Sequence, residues 1–410
     1  MEPKVYIDME NKIKLLTLSI ALAASSASAA NYAIEARGDA MGGVGVVSAN
    51  FLTAPFYNPA ITAIYRRNDD VGMITPSLGL SYSDEHMMVD DLDKASGLID
   101  SAIGGDYSNI SELETTLAAL DGDIAKLEFG GVIAFAIPNR FIAANLVGKA
   151  YAESFAQTDV YSGANSAIDS ALNPAINAEL SAINAVGVGV TEVGLSLAKY
   201  QTFLGQHIAF GITPKLQRIY TYVYQANINN YDIKDVRDNG TGETMFNIDA
   251  GFLWFYGPLR VGIAAMNIVS RDITTQELAG STINSQIDAS QGRTFSPVSY
   301  DYQMRPLYTV GVGLIGDYAS LSVDYDLNEE ERYTNFNDNT QMVRVGGEID
   351  ILRQLKLRAG WNRNLAYDDL DDTITAGIGL SPLNLFQLDI GASYTNENSM
   401  GAYINFLTSY

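Results

Sequence analysis

The chain has 410 residues, of which 47% are hydrophobic and 18% charged, and it contains no cysteine. Its 25 Lys and Arg against 48 Asp and Glu give a formal net charge of −23, which argues against nucleic acid as the main partner because phosphates repel an acidic surface. The lack of cysteine excludes disulfides and thiolate chemistry, and beyond the N-terminus no run approaches the roughly 18–20 apolar residues of a membrane-spanning helix.

Residues 1–29 are predicted to be a cleaved export signal. Lys12 and Lys14 precede the apolar stretch 15–24, and residues 27–29 read Ala-Ser-Ala, the small-x-small form of a leader-peptidase site. We therefore expect cleavage after Ala29 and export of the mature chain to the envelope of a Gram-negative bacterium.

Residues 30–68 show no strand periodicity and are predicted to form a compact plug. A glycine-rich run at 40–46 includes Gly42 and Gly43, and Tyr-Asn-Pro-Ala follows at 57–60. Glycine permits positive φ and close backbone approach, which a segment threaded through a lumen needs. The run does not match a phosphate loop, because no Gly-Lys-Ser/Thr follows and no βαβ unit surrounds it.

Residues 69–410 alternate between apolar and polar side chains. In 355–362 every odd position is apolar and every even one is polar or glycine, the period-two pattern of a strand with two different faces. About fourteen strands are predicted, with twelve or sixteen left open. They lie near 70–84, 125–138, 140–157, 184–200, 205–225, 243–256, 259–272, 304–316, 318–328, 339–351, 354–366, 371–381, 385–396 and 400–410.

Three features favour a membrane barrel over a soluble sandwich. The segments run ten residues or more, against the usual 5–6 of soluble strands. Small and polar residues dominate the second face, which suits a crowded wet lumen. Short and long connections alternate, as do the tight periplasmic turns and long outer loops of such barrels. The long ones are 85–124, 158–183, 226–242 and 273–303. We therefore predict an all-β fold, a transmembrane antiparallel β-barrel in the outer membrane.

The long loops carry helical and acidic patterns. A capping box at 111–114 precedes Leu117 and Leu120 on one helical face, and 164–183 has helical composition. Such helices either cap the outer mouth and form an apolar site or only pack on one another. Acidic residues cluster at 84–123 and 368–372, either as a solvated face or as a surface for the divalent ions that bridge lipopolysaccharide. A dedicated calcium loop is absent, so no metal site is predicted.

Charged residues on the polar strand faces are predicted to face the lumen, because a Lys or Arg facing lipid near the midplane costs about 2–4 kcal/mol. They either line a selective path or brace the barrel and plug through salt bridges between neighbouring strands. The predicted lumen-facing residues are Asp249, Arg260, Asp324, Arg344, Glu348, Lys356, Arg358 and Asp389.

The chain resembles a known family at two places. The final strand ends at Tyr410, with Phe406 and Ile404 on its face, which resembles the terminal signal read by the barrel-assembly machinery. The run 40–46 followed by 57–60 resembles the hatch of FadL-type channels for hydrophobic molecules, and more closely the TraF-like conjugal-transfer outer-membrane proteins.

The resemblance implies a fourteen-stranded barrel with an inward-folded plug, whose gating positions map onto Gly42, Gly43, Asn58, Pro59 and Ala60. In the channels a kinked third strand opens a lateral exit. The predicted third strand here contains Gly148 and no proline, which argues against such an exit.

No enzyme activity and no cofactor are predicted, because His86 and His207 are the only histidines and no catalytic motif surrounds them. The resemblance implies a monomer that admits small hydrophobic molecules by gated passive diffusion. The alternative is an envelope platform for conjugal transfer or surface assembly; a third hypothesis is an adhesin or receptor that uses the acidic loops.

Overall fold

The computed structural model describes residues 34–64, 72–74, 76–84, 86–137, 141–161, 177–178, 180–228, 240–278, 299–334, 336, 338–367, 370–382 and 386–409. The predicted export signal and Tyr410 lie outside these residues. Most residues of the connections 158–183, 226–242 and 273–303 also lie outside them. No helix within the described ranges is long and apolar enough to cross a membrane.

The described residues form mostly strands, with three short or medium helices. The strands are β1 (Gly72–Ile74), β2 (Leu78–Ser83), β3 (Ile124–Ile137), β4 (Ala143–Asp159), β5 (Ala182–Phe203), β6 (Gln206–Asn227), β7 (Gly240–Tyr256), β8 (Leu259–Met266), β9 (Arg271–Thr274), β10 (Asp301–Met304), β11 (Leu307–Ile315), β12 (Ala319–Asp326), β13 (Met342–Ile351), β14 (Leu355–Asn364), β15 (Thr373–Leu380), β16 (Gln387–Asn396) and β17 (Ser399–Ser409). The α-helices are α1 (Ala36–Asp39), α2 (Met88–Ile103) and α3 (Ile110–Leu120), and 3-10 turns cover Ala54–Phe56 and Pro59–Ala63.

The strands close into a barrel. Neighbours along the chain pair antiparallel from β2 to β17, with β8 pairing β11, and β17 pairs back with β2. The strands β1 and β2 each pair with both β3 and β17, so they are one wall strand interrupted around Pro76, which has no N–H for a ladder hydrogen bond. Within the described ranges the wall therefore has fourteen strands, and the predicted antiparallel barrel is confirmed.

The period-two pattern separates the two faces of the wall as predicted. On β16, Ile390 is 50% exposed whereas its neighbour Asp389 is fully buried. On β12, Val323 is 41% exposed and Asp324 is buried. Apolar side chains thus cover the outside of the barrel, and charged side chains lie within it.

Two strands are shorter than the sequence pattern predicts. The ranges 259–272 and 304–316 were each expected to be one strand, but the ladder between β8 and β11 stops at Met266 and Leu307. Asn267 adopts a positive φ of 53° there, and its N–H donates to the Asp249 carboxylate instead of continuing the ladder. The residues beyond form the separate β9–β10 hairpin.

The outer helices bury their apolar faces against each other. Ile99 of α2 and Leu113 and Leu117 of α3 share one core cluster with Ile183 of β5. The helices therefore pack on one another, while most of the predicted helical region 164–183 lies outside the described residues.

Candidate functional site

The segment 34–64, called the plug below, lies inside the barrel. None of its residues is exposed, and it contacts inward-facing positions around the ring. Ile34 meets β2 and β3, Pro59 meets β6, and Met41 meets β13 and β14. A segment of this length that touches opposite sides of a closed wall fills its interior.

Glycines in the wall make room for the plug backbone. A Cβ atom at Gly346 would lie 2.0 Å from the carbonyl oxygen of Met41, and one at Gly360 would lie 2.2 Å from the amide nitrogen of Gly42. Gly42 and Gly43 themselves adopt φ values of 73° and 86°, which L-residues with a side chain rarely adopt. At these glycines the plug backbone therefore packs directly against the wall.

Replacing Gly346 by alanine is expected to unseat the plug, because the added methyl group collides with plug backbone that has no side chain to move aside. Overpacking of this kind typically costs about 1–3 kcal/mol. The measurement is protease cleavage within 34–64 of the folded barrel, which should rise. Gly187→Ala is the control, since its Cβ would lie 3.7 Å from the nearest atom. Equal cleavage in both variants would contradict the contact.

Asn58 anchors the plug to the wall. Its buried side chain donates to the carbonyls of Val46 (2.9 Å) and Phe252 of β7 (3.1 Å) and accepts from the N–H of Ala60 (3.0 Å). It caps the 3-10 turn whose first residue is Pro59, a position that suits proline because its missing N–H has no partner there. Asn58, Pro59 and Ala60 thus act together as one local structure held against β6 and β7.

A chain of buried charges joins the plug to three strands. Arg37 donates to both oxygens of Glu348 (3.1 and 3.3 Å), and Glu348 also accepts from Nε of Arg358 (2.6 Å). Nη1 of Arg358 lies 2.7 Å from Oδ1 of Asp389. Opposite charges alternate along this chain, so removing one member leaves a buried charge without its partner.

Two further predicted residues bind the plug backbone. The Asp324 carboxylate accepts hydrogen bonds from the N–H groups of Gly45 (2.7 Å) and Val46 (2.9 Å). Arg260 donates to the carbonyl of Val47 at 3.2 Å. Both side chains therefore hold the plug at the end of its glycine-rich run.

The remaining predicted residues pair within the wall. Arg344 makes a bidentate contact with Asp326 (2.8 and 3.0 Å), and Asp249 lies 2.9 Å from Nζ of Lys215. Lys356 donates to a serine and a glutamine near the short-turn end of the barrel. All eight predicted side chains thus have hydrogen-bond or ion-pair partners inside the barrel, and five of them form ion pairs.

The described residues of the connection 327–341 (all but 335 and 337), called the mouth strap below, cross the barrel mouth. The connection joins β12 and β13, yet Arg332 lies 3.1 Å from Glu153 of β4, and the Tyr333 hydroxyl donates to the carbonyl of Gly187 of β5 at 2.6 Å. Because β4 and β5 stand almost halfway round the ring from β12 and β13, the strap spans the opening. Tyr333 is fully buried at its far end.

Docking of the mouth strap is expected to weaken as the pH rises from 4 to 7. Burial raises the pKa of Asp338 to about 6, although Arg332 and the Tyr333 N–H oppose the rise, and burial also raises the pKa of Glu330. A raised pKa favours the protonated docked form, so the stabilisation is complete below the ordinary value near 4 and is lost through pH 6.

Hydrogen exchange of the Tyr333 amide, corrected for its intrinsic rate, should therefore show less protection at pH 7 than at pH 5. Asp338→Asn should shrink this difference, with Glu330 accounting for the remainder. Protection that grows with pH would contradict the assignment.

A chamber of about 270 Å³ separates the plug from the mouth strap. Asp39, Gly42 and Gly43 of the plug line one side, and the strap lines the other. The surrounding wall combines apolar and aromatic side chains with hydroxyl, amide and charged ones. The polar and charged ones include Ser81, Ser83, Lys126, Glu128, Arg344, Asn362, Asn364, Thr373, Thr375, Ser393, Thr395 and Ser399.

The sequence did not single out several residues of this site. Arg37 and Arg332 lie outside the strands, and their wall partners Glu348 and Glu153 are far away in sequence, so no local pattern signals the pairing. Glu153 and Lys215, in contrast, carry the signal of a charge in a predicted strand. His86 reaches the chamber edge, where Nδ1 lies 3.9 Å from Oδ1 of Asp123. No cluster that could hold a metal ion occurs in the described part of the chain.

The fold has known counterparts. The Ralstonia pickettii toluene transporter TbuX is 12% identical, covers 92% of this chain and 98% of its own, and has a TM-score of 0.52. A deltaS2S3 mutant of the monoaromatic hydrocarbon channel TodX, a toluene transporter of P. putida, is 10% identical, with coverage of 92% and 99% and a TM-score of 0.55. These likenesses confirm a FadL-type barrel fold.

At the level of sequence, no curated protein matches the chain. The family described as "F plasmid transfer operon, TraF, protein" matches residues 55–326, which is more than half of the chain.

Proposed function

This chain belongs to the TraF family of the F plasmid transfer operon, and we propose that it is an outer-membrane channel of the FadL type, closed by its internal plug. The observation that carries the proposal is a closed ring of strands, apolar outside, around a segment with no exposed residue. An apolar exterior suits lipid, and a plug held by hydrogen bonds can be released without breaking the wall.

The gate in this proposal is the plug, with Asn58, Pro59 and Ala60 as its moving part. Asn58 is the only one of the three whose side chain bonds to the wall within the described structure, and that wall contact is a single hydrogen bond. The third wall strand β4 pairs without interruption on both sides, so release through the wall at that strand is not part of the proposal.

For the solute, the sequence prediction of small hydrophobic molecules draws its support from the names of the fold relatives, a toluene transporter and a monoaromatic hydrocarbon channel. We also propose that the protein is a monomer, that its acidic outer loops face lipopolysaccharide, and that β17 is read by the barrel-assembly machinery.

The experiment compares the native protein with a variant lacking residues 31–60 in planar bilayers. We expect the native protein to be mostly closed and the deletion variant to conduct steadily, because the interior then holds water. Heat-modifiable gel mobility establishes that the variant still forms a barrel. A folded deletion variant that does not conduct would overturn the proposal.

A second candidate function is a platform for conjugal transfer in the envelope, which the family match itself favours. It predicts a partner protein that co-purifies with the native chain from cells carrying a transfer operon. It also predicts that conjugation depends on the outer loops and not on plug release.

A further inference from the structure

A row of side chains faces the lumen at the short-turn end of the barrel, opposite the mouth strap. His207 of β6 pairs with Phe255 of β7, and Phe255 pairs with Arg260 of β8, so the three residues stand side by side and point to the same face of the sheet. That face is the inner one, because Gly251, four residues before Phe255 on β7, lies against the plug residue Asn58. The row therefore points into the barrel beside the plug.

Arg260 is the cation of this row and has no carboxylate partner. Its Nη1 donates to the carbonyl of the plug residue Val47 at 3.2 Å, and it forms no ion pair with any described residue. The lumen-facing Arg344 and Arg358, in contrast, each hold a carboxylate. The Arg260 side chain is partly exposed, and none of its nitrogens is both buried and unpaired, so its remaining N–H groups reach solvent. A guanidinium has five N–H donors, so Arg260 can bind an anion and keep its contact with the plug.

No carboxylate on the inner faces of β5 to β8 lies close to Arg260. The first one along β7 is Asp249, six residues before Phe255 and so about 20 Å along the strand. Asp249 is itself held by Lys215 at 2.9 Å. Asp324 of β12 is occupied by two N–H groups of the plug. A negatively charged solute at the row would therefore meet one positive charge and no nearby negative charge from these four strands.

Three aromatic rings stand beside Arg260. The rings of His207 and Phe255 are stacked with their centroids 5.5 Å apart, and Tyr200 of β5 stacks on His207 at 6.0 Å. The Tyr200 hydroxyl lies 2.6 Å from Nδ1 of His207, a hydrogen bond that fixes both rings. Tyr200 is 41% exposed and the other two rings are half-buried, so ring surface remains open to solvent. Flat ring surface beside a guanidinium without an ion pair suits a solute that has one ring and one negative charge.

We propose that this row of Tyr200, His207, Phe255 and Arg260 binds a small aromatic carboxylate. The carboxylate accepts hydrogen bonds from the guanidinium of Arg260, and the ring of the solute lies against the aromatic rings of the row. The site is separate from the chamber at the mouth and is open while the plug is in place. The inference therefore goes beyond the proposed channel function and does not depend on it.

The test is equilibrium dialysis of the purified full chain in detergent with labelled benzoate, with acetate, toluene and benzylammonium as comparison ligands. We expect the native protein to bind benzoate, and Arg260→Gln to bind it about 10- to 100-fold more weakly, the loss expected for hydrogen bonds to a charged group. His207→Ala removes the middle ring and should weaken benzoate binding about two- to tenfold. Arg218→Gln, on the exposed face of β6, is the matched control and should bind like the native protein.

His207→Ala keeps the inference testable if Arg260→Gln releases the plug. Equal benzoate binding by Arg260→Gln and the native protein would overturn the inference, as would a native protein that binds no benzoate. Acetate bound as tightly as benzoate would overturn the aromatic part of the assignment, and toluene or benzylammonium bound as tightly would overturn the anionic part. Conductance of the 31–60 deletion is a separate measurement, so it decides the channel function whether or not benzoate binds.

Discussion

Replacing Arg358 by alanine is expected to destabilise the folded barrel by about 3–5 kcal/mol, the usual cost of leaving a buried charge without its partner. The guanidinium is fully buried between two carboxylates, 2.6 Å from Glu348 and 2.7 Å from Asp389. Without it, Glu348 keeps only Arg37, and Asp389 loses its ion-pair partner among the described residues. The free energy of unfolding in urea, measured in lipid vesicles, reports the loss.

The control for this prediction is Arg218→Ala, which removes an exposed arginine from β6 and should change stability by about 0.5 kcal/mol or less. Adding Asp389→Asn to the Arg358 variant should recover part of the loss, because the substitution removes the unpaired charge. If the Arg358 and Arg218 variants unfold at the same urea concentration, the buried chain of charges does not hold the barrel.

Asn58→Ala is expected to raise the open probability of the channel by about 30- to 140-fold. The substitution removes three hydrogen bonds of a fully buried side chain, those to the carbonyls of Val46 and Phe252 and the one from the Ala60 N–H. One of these bonds joins the plug to the wall and two hold the turn in its docked shape, so at about 1 kcal/mol each we expect plug docking to lose about 2–3 kcal/mol, which converts to that range. Single-channel recording in planar bilayers measures the open fraction directly.

Asn58→Asp separates the two roles of this residue. The carboxylate keeps the cap on the Ala60 N–H but cannot donate to either carbonyl, so it should open the channel at least as much as Asn58→Ala. A variant that stays closed with aspartate at this position would show that the cap, and not the wall contact, holds the plug.

The wall was predictable because a barrel strand has only two environments. Each residue faces either the apolar exterior or the crowded interior, and a one-residue slip would reverse every side chain, so the pattern appears in sequences such as 355–362. The same logic predicted that Arg358 and Asp389 point inward. The pattern did not predict where β8 ends near Asn267. There the Asp249 carboxylate accepts a hydrogen bond from the Asn267 N–H in place of the strand ladder.

The plug and strap contacts were less predictable because they join distant parts of the chain. Arg37 and Glu348 are 311 residues apart, and nothing in the local sequence around Arg37 indicates a partner. The mouth strap contains Glu330, Arg332 and Asp338, a composition that also fits a solvated loop. The strap docks across the mouth because Tyr333 reaches β5. That contact exists only once the ring of strands has closed, so the sequence of the strap alone does not indicate it.

Spin labels along β16 distinguish a lipid-embedded barrel with a polar interior from other arrangements of these strands. The chain has no cysteine, so single cysteines can be introduced one at a time at positions 388–394 without removing native ones. Oxygen concentrates in lipid. In liposomes, we therefore expect collisions between oxygen and the spin label to peak at positions 390, 392 and 394 and to be low at 389, 391 and 393. Equal accessibility of all positions to a water-soluble nickel reagent, or a period of 3.6 residues, would contradict the lipid-embedded barrel.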